Sequence, residues 1–189
     1  MKPRPFAWFP AAVLSVLSLS CSDAAPNPAA VGLTLGIAPP SIPQSGFQCN
    51  TSGTTKSIGE PAPIGTNPGN RINDGDSGVK VDCKVSGKDK FSFSASIEQG
   101  KNVKFSMSGG SIDTATGKGT FNASLYTPES LGLATDPSTP CTIDINPPEA
   151  PYQVKAGTLY AQWSCPVMKA APTTACGVSG TVVLEFCED

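Results

Sequence analysis

Phe91-Ser-Phe-Ser-Ala-Ser-Ile-Glu98 decides the fold. Phe91, Phe93, Ala95 and Ile97 alternate with Ser92, Ser94, Ser96 and Glu98. Successive side chains of a strand point to opposite faces, so a period of two predicts a strand with one face buried and the other in water. The flanking segments repeat the pattern. Val79, Val81, Cys83 and Val85 alternate with Lys80, Asp82, Lys84 and Ser86, and Val103, Phe105 and Met107 with Lys104, Ser106 and Ser108. The connections Ser86-Gly-Lys-Asp89 and Gln99-Gly-Lys-Asn102 are short and contain glycine, so Val79–Met107 reads as a three-stranded antiparallel meander.

Outward from the meander, Phe121, Ala123 and Leu125 alternate with Thr120, Asn122 and Ser124 after a longer connection over Gly109–Gly119. A Pro-rich crossing, Thr127–Pro140, precedes a short strand of Cys141, Ile143 and Ile145 that stops at Pro147-Pro148. Val154–Cys165 reads as one long strand whose apolar phase switches at a Gly157 bulge. Val178–Cys187 supplies a last strand with Val182, Leu184 and Phe186 inside, and Phe47–Asn50 a first one. No window sustains a helical spacing, and Gly and Pro, 19 each, supply many turns. About eight one-faced strands predict an all-β antiparallel β-sandwich over residues 47–189, with a barrel as the alternative.

The start of the chain is different. Lys2 and Arg4 precede an uncharged apolar run, Phe6–Leu19, that is shorter than the ~20 residues a membrane-spanning helix needs. A basic start, a short apolar run and small residues at its end are the marks of an export signal. Its last residues, Leu17-Ser-Leu-Ser-Cys21, resemble a bacterial lipobox. That resemblance implies cleavage after residue 20 and acylation of Cys21, with a lipid bilayer as the first partner. Ser22 in place of Asp after the cysteine implies sorting to the outer membrane. Cleavage near Ala24 or Ala25 by a general signal peptidase is the rival reading. Residues 21–46 are rich in Pro and Ala and read as a semi-rigid linker. Val31–Ile37 is more apolar than a linker requires, and docking on the domain as an edge strand is the alternative there.

Seven cysteines make an odd count: Cys21, Cys49, Cys83, Cys141, Cys165, Cys176 and Cys187. Lipidation of Cys21 leaves six for three disulfides, which allow fifteen pairings. Cys165 and Cys176 fall on strands around a segment with Pro166, Pro172 and Gly177, so a hairpin predicts that they pair. Cys176 and Cys187, both on one extended strand, lie too far apart to bridge. Elimination then gives Cys49–Cys83 and Cys141–Cys187. The pattern in which Cys141 and Cys165 bracket an aromatic strand, and Gly177-Val-Ser-Gly-Thr181 follows Cys176, is similar to that of secreted lipoproteins of myxobacterial type. The similarity covers about the last hundred residues; it implies location and fold, and carries no catalytic residue across.

The chain has 13 basic and 15 acidic residues and no histidine. Loss of Lys2 and Arg4 leaves 11 against 15, a mature charge of −4, which argues against nucleic acid as a partner. Without histidine, Ser-His-Asp and Cys-His systems and histidine metal sites are excluded. Asn73, Asp74 and Asp76 form the densest set of oxygen ligands, a calcium candidate that a turn before Val79 explains equally well. Tyr160 and Gln162 alternate with Leu159, Ala161 and Trp163, so they point away from the core, where a ring could stack on a sugar. Asp74, Asp76 and Asp113 are the acids open to a carboxylate hydrolase. The expectation is a non-catalytic envelope lipoprotein without cofactor, presenting a surface to an envelope protein or polysaccharide. A carbohydrate-binding module and a hydrolase are the alternatives.

Overall fold

The computed structural model describes residues 26–64, 70–130, 132–145, 153–170 and 173–189. They form twelve strands: β1 (Ala30–Ala38), β2 (Thr55–Ile58), β3 (Ile72–Asn73), β4 (Val79–Gly87), β5 (Lys90–Gln99), β6 (Val103–Asp113), β7 (Lys118–Tyr126), β8 (Leu133–Thr135), β9 (Cys141–Asp144), β10 (Gln153–Lys155), β11 (Thr158–Ala170) and β12 (Thr174–Glu185). All pair antiparallel in one sheet, nine of them in the order β2-β1-β12-β11-β8-β7-β6-β5-β4, with β3 on β1, β10 on β11 and β9 bridging β11 and β7. The fold is all-β, as the period-two segments predict. The meander is present as β4–β5–β6, with Val85 opposite Phe93 and Ile97 opposite Phe105.

The sheet curls so that its two halves face each other. Phe105 on β6 stacks on Trp163 of β11, ring centroids 4.8 Å apart, although these strands do not pair. Phe121 of β7 meets the same indole edge-on, at 6.2 Å. The inward residues of the meander, Val79 to Met107, join Val31, Leu33, Leu35 and Ile37 of β1 and Val182 and Leu184 of β12 in one apolar cluster. Burying each such large side chain contributes roughly 1.5–3 kcal/mol relative to exposure, so this shared interior is the main source of stability. The two layers of a sandwich are therefore made from one continuous sheet.

Four sequence expectations are corrected. First, β1 is not part of a linker over 21–46, nor an edge strand. It lies between β2 and β12, paired with β12 along its whole length from Ala30↔Glu185 to Ala38↔Gly177. Second, Gly157 is not a bulge. It takes φ 72° in the turn between β10 and β11, where Val154 pairs with Leu159, so the long strand is a hairpin. Third, Gly109–Gly119 is not one connection. β6 continues to Asp113 across an irregularity at Ser108–Ser111, and the ring of Phe93 fills the space where Gly110 lacks a side chain. Fourth, Phe47–Asn50 is not a strand; only Gln48 makes an isolated bridge, to Thr174.

A free strand edge invites pairing with other chains, and both edges here are blunted. At one end β2 is only four residues long and carries Lys56. At the other, three separate pieces cover β4. Asp74 Oδ1 accepts the Val81 N–H at 2.7 Å. Val85 N–H donates to Glu188 O at 2.8 Å, and Glu188 N–H to Cys83 O at 3.0 Å. Gly157 N–H donates to Val85 O at 2.8 Å.

Candidate functional site

The six cysteines from Cys49 onward form three disulfides: Cys49–Cys176, Cys83–Cys187 and Cys141–Cys165. All three expected pairings, Cys165–Cys176, Cys49–Cys83 and Cys141–Cys187, are thus corrected. The hairpin of β11 and β12 exists, but it runs on to Ala170 and Thr174, past the cysteines. Cys165 lies opposite Val178 and Cys176 opposite Met168, with a bulge between them. Pro166 sits at that bulge inside β11, where a residue without an N–H is tolerated. Cys165 instead meets Cys141 on β9, next to the Ser164↔Thr142 pair. Cys83 is reached by the tail after β12, and Cys176 by the segment after β1. Cys21 lies outside the described residues.

The calcium candidate is a turn whose polar groups serve the fold. Asp74 bonds the β4 edge, and Asn73 Nδ2 donates to Asp76 Oδ2 at 3.0 Å. Gly75 and Ser77 take positive φ, 90° and 52°, which turns the chain into β4. Among the described residues no group of three or more His, Cys, Asp or Glu side chains is placed to hold a metal ion.

Of the candidate acids, Asp74 bonds the β4 edge, Asp76 accepts from Asn73 and Asp113 lies at the β6–β7 turn. Asp74, Asp82 and Glu98 line one open groove of about 530 Å³ beside β4. Lys104, bonded to Glu98, holds that carboxyl below its usual value, the opposite of what a general acid requires. Asp113 Oδ1 accepts the Ala115 N–H at 2.9 Å and shapes the β6–β7 turn.

Tyr160 is buried, 5 % exposed, and is corrected as a ligand candidate, whereas Gln162 is exposed. Tyr160 does face away from the main core, as its phase requires. That side is covered too. It lies in a row with Val183 and Gly32, one residue from each of β11, β12 and β1. The Glu60–Pro61 backbone crosses so close over Gly32 that a Cβ there would sit 2.5 Å from Glu60 O. This strap is pinned by Arg71, whose Nη2 donates to Ala62 O at 2.7 Å and whose Nε lies 2.9 Å from Glu185 Oε2. The ion pair is buried, its side chains 4 % and 13 % exposed.

The exposed face of β5–β7 is rich in hydroxyls: Ser92, Ser94, Ser108, Thr120 and Ser124, with Ser106 Oγ 2.7 Å from Ser124 Oγ. Asn122, Ser124 and the exposed ring of Tyr126 stand in line along β7. Tyr126, at the end of its strand as the sequence places it, alternates with Leu125 and is the outward aromatic of this face. No protein family, curated protein or solved structure matches this chain.

Proposed function

We propose that the protein is a non-catalytic exported lipoprotein, anchored in the outer membrane by acylated Cys21, whose disulfide-stapled β-domain presents a binding or structural surface in the envelope. One observation carries this reading. The six other cysteines lie in three mutually exclusive pairs at disulfide distance, so the odd cysteine of the chain is the one in the lipobox-like stretch. Disulfides suit an oxidising compartment, and a chain exported by the apolar leader would enter one. Two or more acyl chains anchor a protein stably where one holds it only marginally. The test is Cys21→Ser: the variant should leave the membrane fraction, and the N-terminal peptide of the unmodified protein should carry the mass of acyl chains. Unchanged fractionation, or an unmodified peptide, overturns the proposal.

A carbohydrate partner is the second reading. It is favoured by the open β5–β7 face, where Tyr126 shares the outer side of β7 with Asn122 and Ser124, and it does not involve the buried Tyr160. A ring flanked by hydroxyl and amide groups can stack on a sugar while its neighbours bond the sugar's hydroxyls. Co-sedimentation with insoluble polysaccharide, compared with Tyr126→Ala, separates it from the first reading.

A further inference from the structure

Among the described residues the exposed large apolar side chains are Ile42, Tyr126 and Phe186. A single exposed apolar residue signifies nothing by itself. Phe186 differs from the other two in its backbone, its mounting and its place.

Its φ is 56°, a left-handed conformation unfavourable for any residue with a Cβ. The sequence alternation puts it inside with Val182 and Leu184; instead it is 53 % exposed, a further correction. The turn at Phe186 is what lets the tail leave β12 and reach β4. The mounting on both sides is rigid. Glu185 pairs with Arg71, Cys187 is bonded to Cys83, Cys187 N–H donates to Gly157 O at 3.0 Å, and Glu188 exchanges two backbone bonds with β4.

The place is where the N-terminal chain joins the sheet. Ala30, the first residue of β1, lies opposite Glu185, the neighbour of Phe186. Nine residues lead from Cys21 to Ala30, and even fully extended they span at most about 32 Å. A lipid on Cys21 therefore keeps this end of the sheet within about 32 Å of the bilayer, and the tether by itself leaves the orientation of the domain open.

We infer that Phe186 is a second, non-covalent contact with the same bilayer, its ring entering the interface and fixing which end of the domain faces the membrane. This rests on the anchoring of the chain through Cys21. The exposed residues that follow it, Glu188 and Asp189, are acidic, with Lys84 Nζ bonded to Asp189 O at 3.1 Å. That charge suits a zwitterionic surface and is repelled by an anionic one. Burying a phenylalanine side chain favours contact about tenfold or more once the tether keeps the domain close.

The test uses the mature chain from Cys21, in which Cys21 is the free thiol beside three disulfides. A maleimide phospholipid couples it to phosphatidylcholine vesicles, and Phe186→Trp or Ile42→Trp reports contact through quenching by brominated lipid. Buried Trp163 gives the same background in both variants. Phe186→Trp should lose most of its added emission and shift to the blue, and should lose less when anionic lipid is included. Ile42→Trp, at the far end of β1, should keep its emission. Quenching of Phe186→Trp no greater than that of Ile42→Trp overturns the inference. Because the lipid is attached chemically, that failure is distinct from a failure of cellular acylation, which the mass of the N-terminal peptide reads.

Discussion

Replacing Arg71 with Met should be among the most damaging single changes at a position outside the main core. Arg71 holds three things at once: the Glu185 carboxylate, Ala62 O and Pro63 O. Removing the guanidinium leaves a largely buried carboxylate without its cation and releases the strap over Gly32. Breaking one side of a buried ion pair costs about 3–5 kcal/mol. Glu185 keeps some contact with water, so the lower end applies. A chain of this size loses roughly 2–4 °C of Tm per kcal/mol, which puts the expected fall near ~6–12 °C. Thermal unfolding followed by near-UV circular dichroism, with the disulfides intact, measures it. The double variant Arg71→Met/Glu185→Leu should recover most of the loss, because it removes the stranded charge and adds apolar surface. A fall below about 1 kcal/mol in the single variant would refute the reasoning. A double variant as unstable as the single would instead assign the cost to the strap's carbonyls.

Peptide mapping without reduction should recover Cys49 linked to Cys176, Cys83 to Cys187 and Cys141 to Cys165; any peptide joining Cys165 to Cys176 would contradict the register of β11 and β12. Replacing Cys83 and Cys187 together by Ser should cost more than replacing Cys141 and Cys165, since their sequence separations are 104 and 24 residues, or about 4.7 against 3.4 kcal/mol of loop entropy. Acid should act through Asp136, whose carboxyl is held far below its usual value by Lys169 first and then by Ser138. A depressed carboxyl contributes stability that is full above ~4 and is lost as the pH falls toward its folded value. Asp136→Asn should therefore be less stable than the unmodified protein at pH 7, with a gap that narrows at pH 3; a gap constant over that range would count against the pair.

The fold was legible wherever one strand carries its own two-sided pattern. Phe91–Glu98 and its neighbours alternate cleanly because one face meets the core and the other meets water. β1 was harder to read. Its inward residues Val31, Leu33, Leu35 and Ile37 do alternate, but Gly32 and Gly36 between them and the prolines around them look like linker composition. Only pairing with β12, at the far end of the chain, makes the segment central. Tyr160 failed for a related reason. Period two assigns it correctly to the outer face, but whether that face meets water depends on what the rest of the fold lays over it, as Glu60–Pro61 lies over Gly32 in the same row. The disulfides depend on register, which a bulge at Pro166 shifts, and on the left-handed turn at Phe186. Neither leaves a periodic signal in the sequence.

The pairing of β1 with β12 also sets the order of assembly. Ala30 ends up opposite Glu185, so the strand that a ribosome or an export channel delivers early has no neighbour on that side until the last is delivered. At about 5–20 residues per second the wait is roughly 8–30 s. Through that interval Val31, Leu33, Leu35 and Ile37 are apolar side chains on an unpaired edge, the kind of surface that binds chaperones or other nascent chains. β4, β5 and β6 need no such delay, since β5 pairs with β4 and β6 with β5. Biogenesis should therefore begin with a self-sufficient hairpin unit in mid-chain and finish when the two ends meet, leaving the newly exported chain open to proteases and to its own copies until the C-terminal strand arrives.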